Sequence, residues 1–196
     1  LALIEAGQLG LEPNGVMGQA YLVPYYNGKT KRYEAQFQVG YRGLIDLARR
    51  SGEITKIEAR VVREGDHFEY EYGLRPNLVH RPDPTSQGDI THVYAIAWLK
   101  DAEPIFEVMT REEVERVRRR SKAADSGPWV TDYEAMARKT VVKRLCKYLP
   151  LSPEAEAAIE ADNRRDVGQI VRITDAGLEV EDAEEQAPTQ TESVRQ

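Results

Sequence analysis

The sequence predicts an α+β domain built on a mostly antiparallel sheet of about six strands with packed helices. Three observations predict it. Residues 32–39 and 91–99 alternate side-chain character with a period of two, as half-buried strands do. Turn signals separate the extended stretches, and Asn27-Gly28 is the strongest because both residues tolerate positive φ. The period turns helical at 40–52, then again at 110–122 and 133–149 after the last strand.

Taken in order, residues 1–11 are an apolar-rich lead-in, read as the end of a helix closed by Gly10, and Glu12-Pro13-Asn14-Gly15 is a turn. Residues 20–26 form a strand, and 32–39 return antiparallel with Tyr33, Ala35, Phe37 and Val39 on the buried face. In the helix after Gly40, Tyr41, Leu44, Ile45 and Ala48 share a face, and Gly52 suits the position just past its end. Arg49 and Arg50 fall in the last turn, where cations suit the helix dipole. Arg42 falls in the first turn, where a cation is mildly unfavourable, and Gly40 and Gly43 beside it would let a ligand approach the backbone. Arg42 is therefore a candidate binding residue. Strands follow at 54–63, 67–72, 91–99 and 105–109, and residues 77–86 read as a loop.

Thr110 with Glu113 is a capping box opening a helix whose inner stripe is Val114, Val117 and Ser121. Arg116, Arg118, Arg119, Arg120 and Lys122 crowd its second half. Gly127-Pro128 breaks the chain, and Thr131 or Asp132 can cap the helix at 133–149. That helix gathers Ala137, Val141, Val142, Leu145, Tyr148 and Leu149 on one arc. Lys139, Lys143 and Lys147 repeat at i, i+4, i+8 on the other side, flanked by Arg144. Like charges so spaced repel by a few tenths of a kcal/mol per pair. A bound polyanion would offset that repulsion; a solvated amphipathic helix is the other reading. Residues 1–153 are expected to form the core. Residues 154–196 are expected to be a short helix to about Ala161 and then an acidic, largely disordered tail.

A chain of 196 residues with 41% hydrophobic content suits one domain with a tail, and no apolar run approaches the roughly 20 residues of a membrane span. The chain starts at Leu1 and carries no signal-peptide pattern, so it is read as a fragment whose natural N-terminus is missing. The single cysteine, Cys146, excludes an intramolecular disulfide and fits a reducing, cytoplasmic setting as a packing residue. The net charge of −6 hides a segregation. Residues 1–110 carry a net −3, residues 111–150 a net +5 and residues 151–196 a net −8. It is the local field that steers a polyanion.

His67, His80 and His92 lie in separate elements without ligand spacing, and no P-loop, G-x-G-x-x-G, H-E-x-x-H or G-x-S-x-G occurs. Asp66, Glu69 and Glu71 suit an exposed strand face better than a divalent-ion site. A binding surface remains, with two basic helices around a Gly-Pro-Trp elbow. Cations there can neutralise phosphates, and Trp129 is either a platform for stacking bases or a core residue docking the loop.

Several stretches together resemble the RecT family of phage-type single-strand annealing recombinases. They are residues 40–52 (GYRGLIDLARRSG), 59–66 (ARVVREGD), 91–95 (THVYA), 106–110 (FEVMT), and 127–129 (GPW) continuing through 134–140 (EAMARKT) to 147–150 (KYLP). They are collinear over roughly residues 11–153 and occur in the family's order. The resemblance implies an α+β core related to that of the eukaryotic annealing recombinases. It also implies ATP-independent binding of single-stranded DNA and pairing with a complementary strand, on a homo-oligomeric ring or helical filament. No cofactor is then required, and Mg2+ enters only as a modulator. The implied partners are a 5′→3′ exonuclease and the host single-stranded-DNA-binding protein. The family's helical N-terminal region contributes to subunit contacts, and this chain begins inside or after it. Lys139, Lys143, Arg144 and Lys147 would lie on the helix lining the DNA groove, with Arg42 on a helix that approaches it, and Arg138, Arg120 and Lys122 in support. A protein-interaction scaffold and a metal-dependent nuclease are the alternative classes.

Overall fold

The computed structural model describes residues 2–27, 31–85, 87–174 and 177–181. The chain runs α1 (Ala2–Gln8), β1 (Ala20–Asn27), β2 (Arg32–Val39), α2 (Tyr41–Arg49), β3 (Ile54–Arg63), β4 (His67–Glu71), β5 (Asn77–Arg81), β6 (Ile90–Leu99) and β7 (Ile105–Thr110). It continues with α3 (Arg111–Arg118), α4 (Pro128–Thr131), α5 (Tyr133–Cys146), α6 (Pro153–Asp166), β8 (Ile170–Thr174) and β9 (Gly177–Glu181). This is the α+β class that the alternating and helical periods predict, with every named strand pair antiparallel.

A three-stranded sheet in the order β3-β6-β7 carries both cores. On one face of β6, Val93, Ala95 and Ala97 are wholly buried. Their small side chains let α5 lie close, with Ala137, Val141, Val142 and Leu145 in the same core. On the reverse face Val62, Tyr94 and Val108 form a smaller core with Phe68 of β4 and Leu78 of β5 packed against it. Phe68 stacks on Tyr94 at 5.6 Å between ring centres. His80 ties this hairpin down, lying 3.1 Å from the Tyr94 hydroxyl and 3.0 Å from Asp66 Oδ2.

The expected sheet of about six strands is instead divided, because β1-β2, β4-β5 and β8-β9 are separate two-stranded pairs. Residues 77–81, read as loop, pair with β4 because Leu78 is needed to cover the smaller core. Only Phe37 and Val39 of the alternating face of β2 are buried; Tyr33 is 76% exposed, so the far half of that hairpin leaves the core. The Gly28 half of the Asn27-Gly28 turn lies outside the described residues. α6 runs one turn beyond Ala161 and buries Ala155, Ala158, Ala161 and Asp162 completely, so it belongs to the packed core. The disordered tail expected after Ala161 is corrected over its first part, because α6 continues to Asp166 and β8 pairs with β9; residues 182–196 lie outside the described residues.

Gly10 ends α1 as expected, with φ +56° and the Leu11 N–H returning to the Ala6 carbonyl. The Thr110–Glu113 capping box is formed in both directions. Gly40 and Gly43 do not open the backbone to a ligand, because the chain fills the space itself. A Cβ at Gly43 would lie 2.1 Å from the Gln19 carbonyl oxygen, and one at Gly40 would lie 2.4 Å from that of Gly18. Gly43→Ala is therefore expected to cost about 1–3 kcal/mol through overpacking, measured as a lower unfolding midpoint; an unchanged midpoint would contradict the close packing.

Candidate nucleic-acid interface

The elbow is built as its sequence suggests, but its tryptophan points inward. Gly127 takes φ +58°, a conformation that favours glycine, and Pro128 starts α4. Trp129 is 4% exposed, belongs to the main core and packs 6.1 Å from the Tyr133 ring. Its burial corrects the stacking-platform reading: as folded, the indole offers no face to a base. Asp132 occupies the N-cap position of α5 without a side-chain capping bond.

The lysine row is also corrected. Lys139 is 6% exposed, and its Nζ lies 2.8 Å from Asp162 Oδ2. Lys143 Nζ lies 2.9 Å from Asp162 Oδ2 and 2.6 Å from Asp166 Oδ2. For Asp162 and Lys143 burial works against the charged form, yet pairing wins. Burial tends to raise the Asp162 carboxyl, but Lys139 and Lys143 hold it well below the usual carboxylate range. Burial tends to lower the Lys143 ammonium, but Asp162 and Asp166 push it above its ordinary value. The two lysines thus fasten α6 to α5. A second buried pair, Arg165 with Glu5 at 2.7 Å, links α6 to α1. Cys146 is buried as expected, and burial pushes its thiol up to about 12.

Other predicted cations do face solvent. Arg116, Arg120 and Arg144 line a cleft of about 490 Å³ between α3 and α5, together with Met109, Glu113 and Val117. Arg144 is aimed by two carboxylates, with Nε 3.0 Å from Glu107 and Nη1 2.8 Å from Glu113, while 41% of its side chain stays exposed. Lys147 and Tyr148, three and four residues on, are both exposed. Tyr148 was expected on the buried arc, but α5 ends at Cys146 and Tyr148 turns to solvent while Leu149 stays buried. Lys122 is exposed, with its stem against Gly168.

A second basic patch sits where α2 meets α5. Arg42 is exposed and donates through Nε to the Tyr41 hydroxyl at 3.3 Å and through Nη1 to the Met17 carbonyl at 3.3 Å. Burial tends to raise the Tyr41 phenol, but Arg42 and then Arg138 outweigh it and hold it below its ordinary value. Arg138 pairs with Glu134, whose other oxygen lies 2.8 Å from Arg63. Beside Tyr41 opens a hollow of about 280 Å³ between β1, β2, α4 and α5. Sequence reasoning missed Tyr41 as a partner of two arginines, and it missed Asp162 and Asp166. The second omission had a signal: Asp162 and Asp166 share the i, i+4 spacing of Lys139 and Lys143.

Asp66 and Glu69 are otherwise engaged, and Glu71 is exposed. Asp66 accepts from the Arg63 and Asp83 backbone N–H groups and lies against His80, while Glu69 faces His67. Among the described residues no group of three or more His, Cys, Asp or Glu is placed to hold a metal ion, and no helix is long and apolar enough to cross a membrane.

The model of the RecT family matches residues 1–175. Protein RecT of Escherichia coli (strain K12) is 52% identical over 165 residues, covering 83% of this chain and 61% of the relative. Uncharacterized protein YqaK of Bacillus subtilis (strain 168) is 31% identical over 189 residues, covering 95% of this chain and 63% of the relative. The chain thus spans about three fifths of the length of these curated relatives.

Proposed function

The chain belongs to the RecT family, and from that premise we propose that it binds single-stranded DNA and pairs it with a complementary strand without ATP. The observation that carries this reading is the group of cations along α3 and α5, where exposed Arg116 and Arg120 and half-buried Arg144 line one cleft and exposed Lys147 lies beyond it. Cations at such a surface neutralise phosphates whatever the base sequence, which leaves most bases of the strand available for pairing. Arg42 and Arg138 form a second contact region, and Lys122 and Arg119 extend the first. Lys139 and Lys143 act indirectly, by holding α6 against α5.

In the same reading the full-length protein assembles as a homo-oligomeric ring or helical filament in the bacterial cytoplasm. It works beside a 5′→3′ exonuclease and the host single-stranded-DNA-binding protein. No bond is made or broken, no cofactor is required, and Mg2+ modulates pairing by screening phosphates.

Salt dependence tests the surface assignment. Each phosphate contact on a single strand contributes about 0.7 to the slope of log affinity against log salt. Arg144→Ala with Lys147→Ala is expected to lower affinity for every sequence and to flatten the slope by about 1.4 if both cations touch phosphates. Fluorescence anisotropy with a labelled oligonucleotide over a salt series measures both quantities. An unchanged slope with an intact fold would remove these residues from the interface.

A further inference from the structure

The geometry points to the hollow beside Tyr41 as a pocket for one nucleobase of the bound single strand, with the adjoining phosphate on Arg42. This rests on the DNA-binding reading above and gives it a base-holding site.

The hollow is about 280 Å³, below the roughly 300–1,000 Å³ of pockets that take drug-sized ligands, so it suits a single ring system. Val23, Pro24, Val39, Pro128 and Met136 give it apolar walls, and Tyr21 and Tyr41 add two aromatic rings. Tyr21 is 46% exposed, so its ring is partly open to an incoming base.

The charge lies to one side. Arg42 donates to the Tyr41 hydroxyl, and its guanidinium carbon lies 5.9 Å from the centre of that ring. Its side chain is anchored by the Met17 carbonyl yet remains exposed. A nucleotide matches this arrangement, with an apolar, flat base for the hollow and an anionic phosphate for the arginine. Two wall residues are already engaged: Lys139 is paired with Asp162, and Asn14 Oδ1 accepts from the Leu22 N–H. Thr131 is engaged too, its Oγ1 donating to the Gly127 carbonyl, while Gln38 and Asp132 complete the polar wall; stacking on the tyrosine rings is the contact that every base can supply.

The same feature explains Gly40 and Gly43. Their missing side chains let the Gly18-Gln19 backbone pack on the start of α2. That packing sets the first residues of β1 beside Tyr41 and so shapes one wall of the hollow.

The test compares two oligonucleotides of equal length, one of thymidine and one with abasic sites throughout, by anisotropy at fixed salt. The intact chain is expected to prefer the base-bearing strand by on the order of tenfold. Tyr41→Ala should collapse that preference. Val23→Trp, which fills the hollow and removes no cation, should collapse it too, with circular dichroism confirming the fold of each variant. Lys147→Ala should weaken both strands equally and leave the preference intact. A preference retained in folded Tyr41→Ala and Val23→Trp would overturn the pocket while leaving DNA binding in place. Failure of the unmodified chain to bind either strand would overturn the DNA-binding reading and the pocket with it.

Discussion

Asp162→Ala is expected to lower the unfolding midpoint by roughly 6–20 °C. Asp162 is fully buried and pairs with both Lys139 and Lys143. Removing one partner of a buried ion pair costs about 3–5 kcal/mol because the remaining charge is stranded. For a chain of this size each kcal/mol is worth about 2–4 °C. Lys143 keeps Asp166, but no other carboxylate lies within ion-pair distance of Lys139 among the described residues. Replacing the pair together, with Lys139→Met and Asp162→Leu, should restore part of the loss.

The pH dependence follows from the same pairing. Asp162 is depressed in the folded chain, so its contribution is present above the unfolded carboxyl value of about 3.9 and is lost as pH falls through the folded value. Lys143 is raised, so its contribution is present below about 10.4 and is lost as pH rises through the folded value. Calorimetry across the acid range should show a steeper loss in the unmodified chain than in the doubly replaced one. A midpoint within about 2 °C of the unmodified chain for Asp162→Ala would contradict the clamp.

Trp129→Ala should be comparably severe, about 3–5 kcal/mol, because a large buried aromatic leaves a cavity that its surroundings fill poorly. The indole packs in the main core beside Tyr133, which anchors the short α4 to the start of α5. Affinity per folded molecule should be nearly unchanged at low temperature. A normal melting curve with lost DNA binding would restore the stacking role that its burial argues against.

Much of the fold was legible because local chemistry and tertiary context agree. Thr110 with Glu113 reads as a cap and is one, and β2 spans the residues that its alternation marks. Gly127-Pro128 breaks the chain where expected. The site was less legible because charge periodicity cannot say what faces a charge. Lys139, Lys143 and Lys147 look equivalent on a helical projection, yet the first two meet Asp162 and Asp166 of α6 and the third meets solvent. Their partners lie some twenty residues on, in a stretch whose acidic composition resembles a solvated tail. The alanines at 155, 158 and 161 carry the missing information, since their spacing gives α6 a face small enough to pack closely. Arg42 was singled out for its place in the first turn of α2. The glycines beside it serve the close packing of Gly18 and Gln19, and its link to Tyr41 needs the folded chain.

The most direct measurement is the rate at which two complementary oligonucleotides pair, one labelled with a fluorophore and the other with a quencher, with the chain present and no ATP. Fluorescence should fall several-fold faster than with the strands alone, and the acceleration should vanish in Arg144→Ala with Lys147→Ala and be unaffected by added ATP. A pairing rate equal to that of the free strands, at protein concentrations that saturate the first strand, would contradict the proposed annealing function.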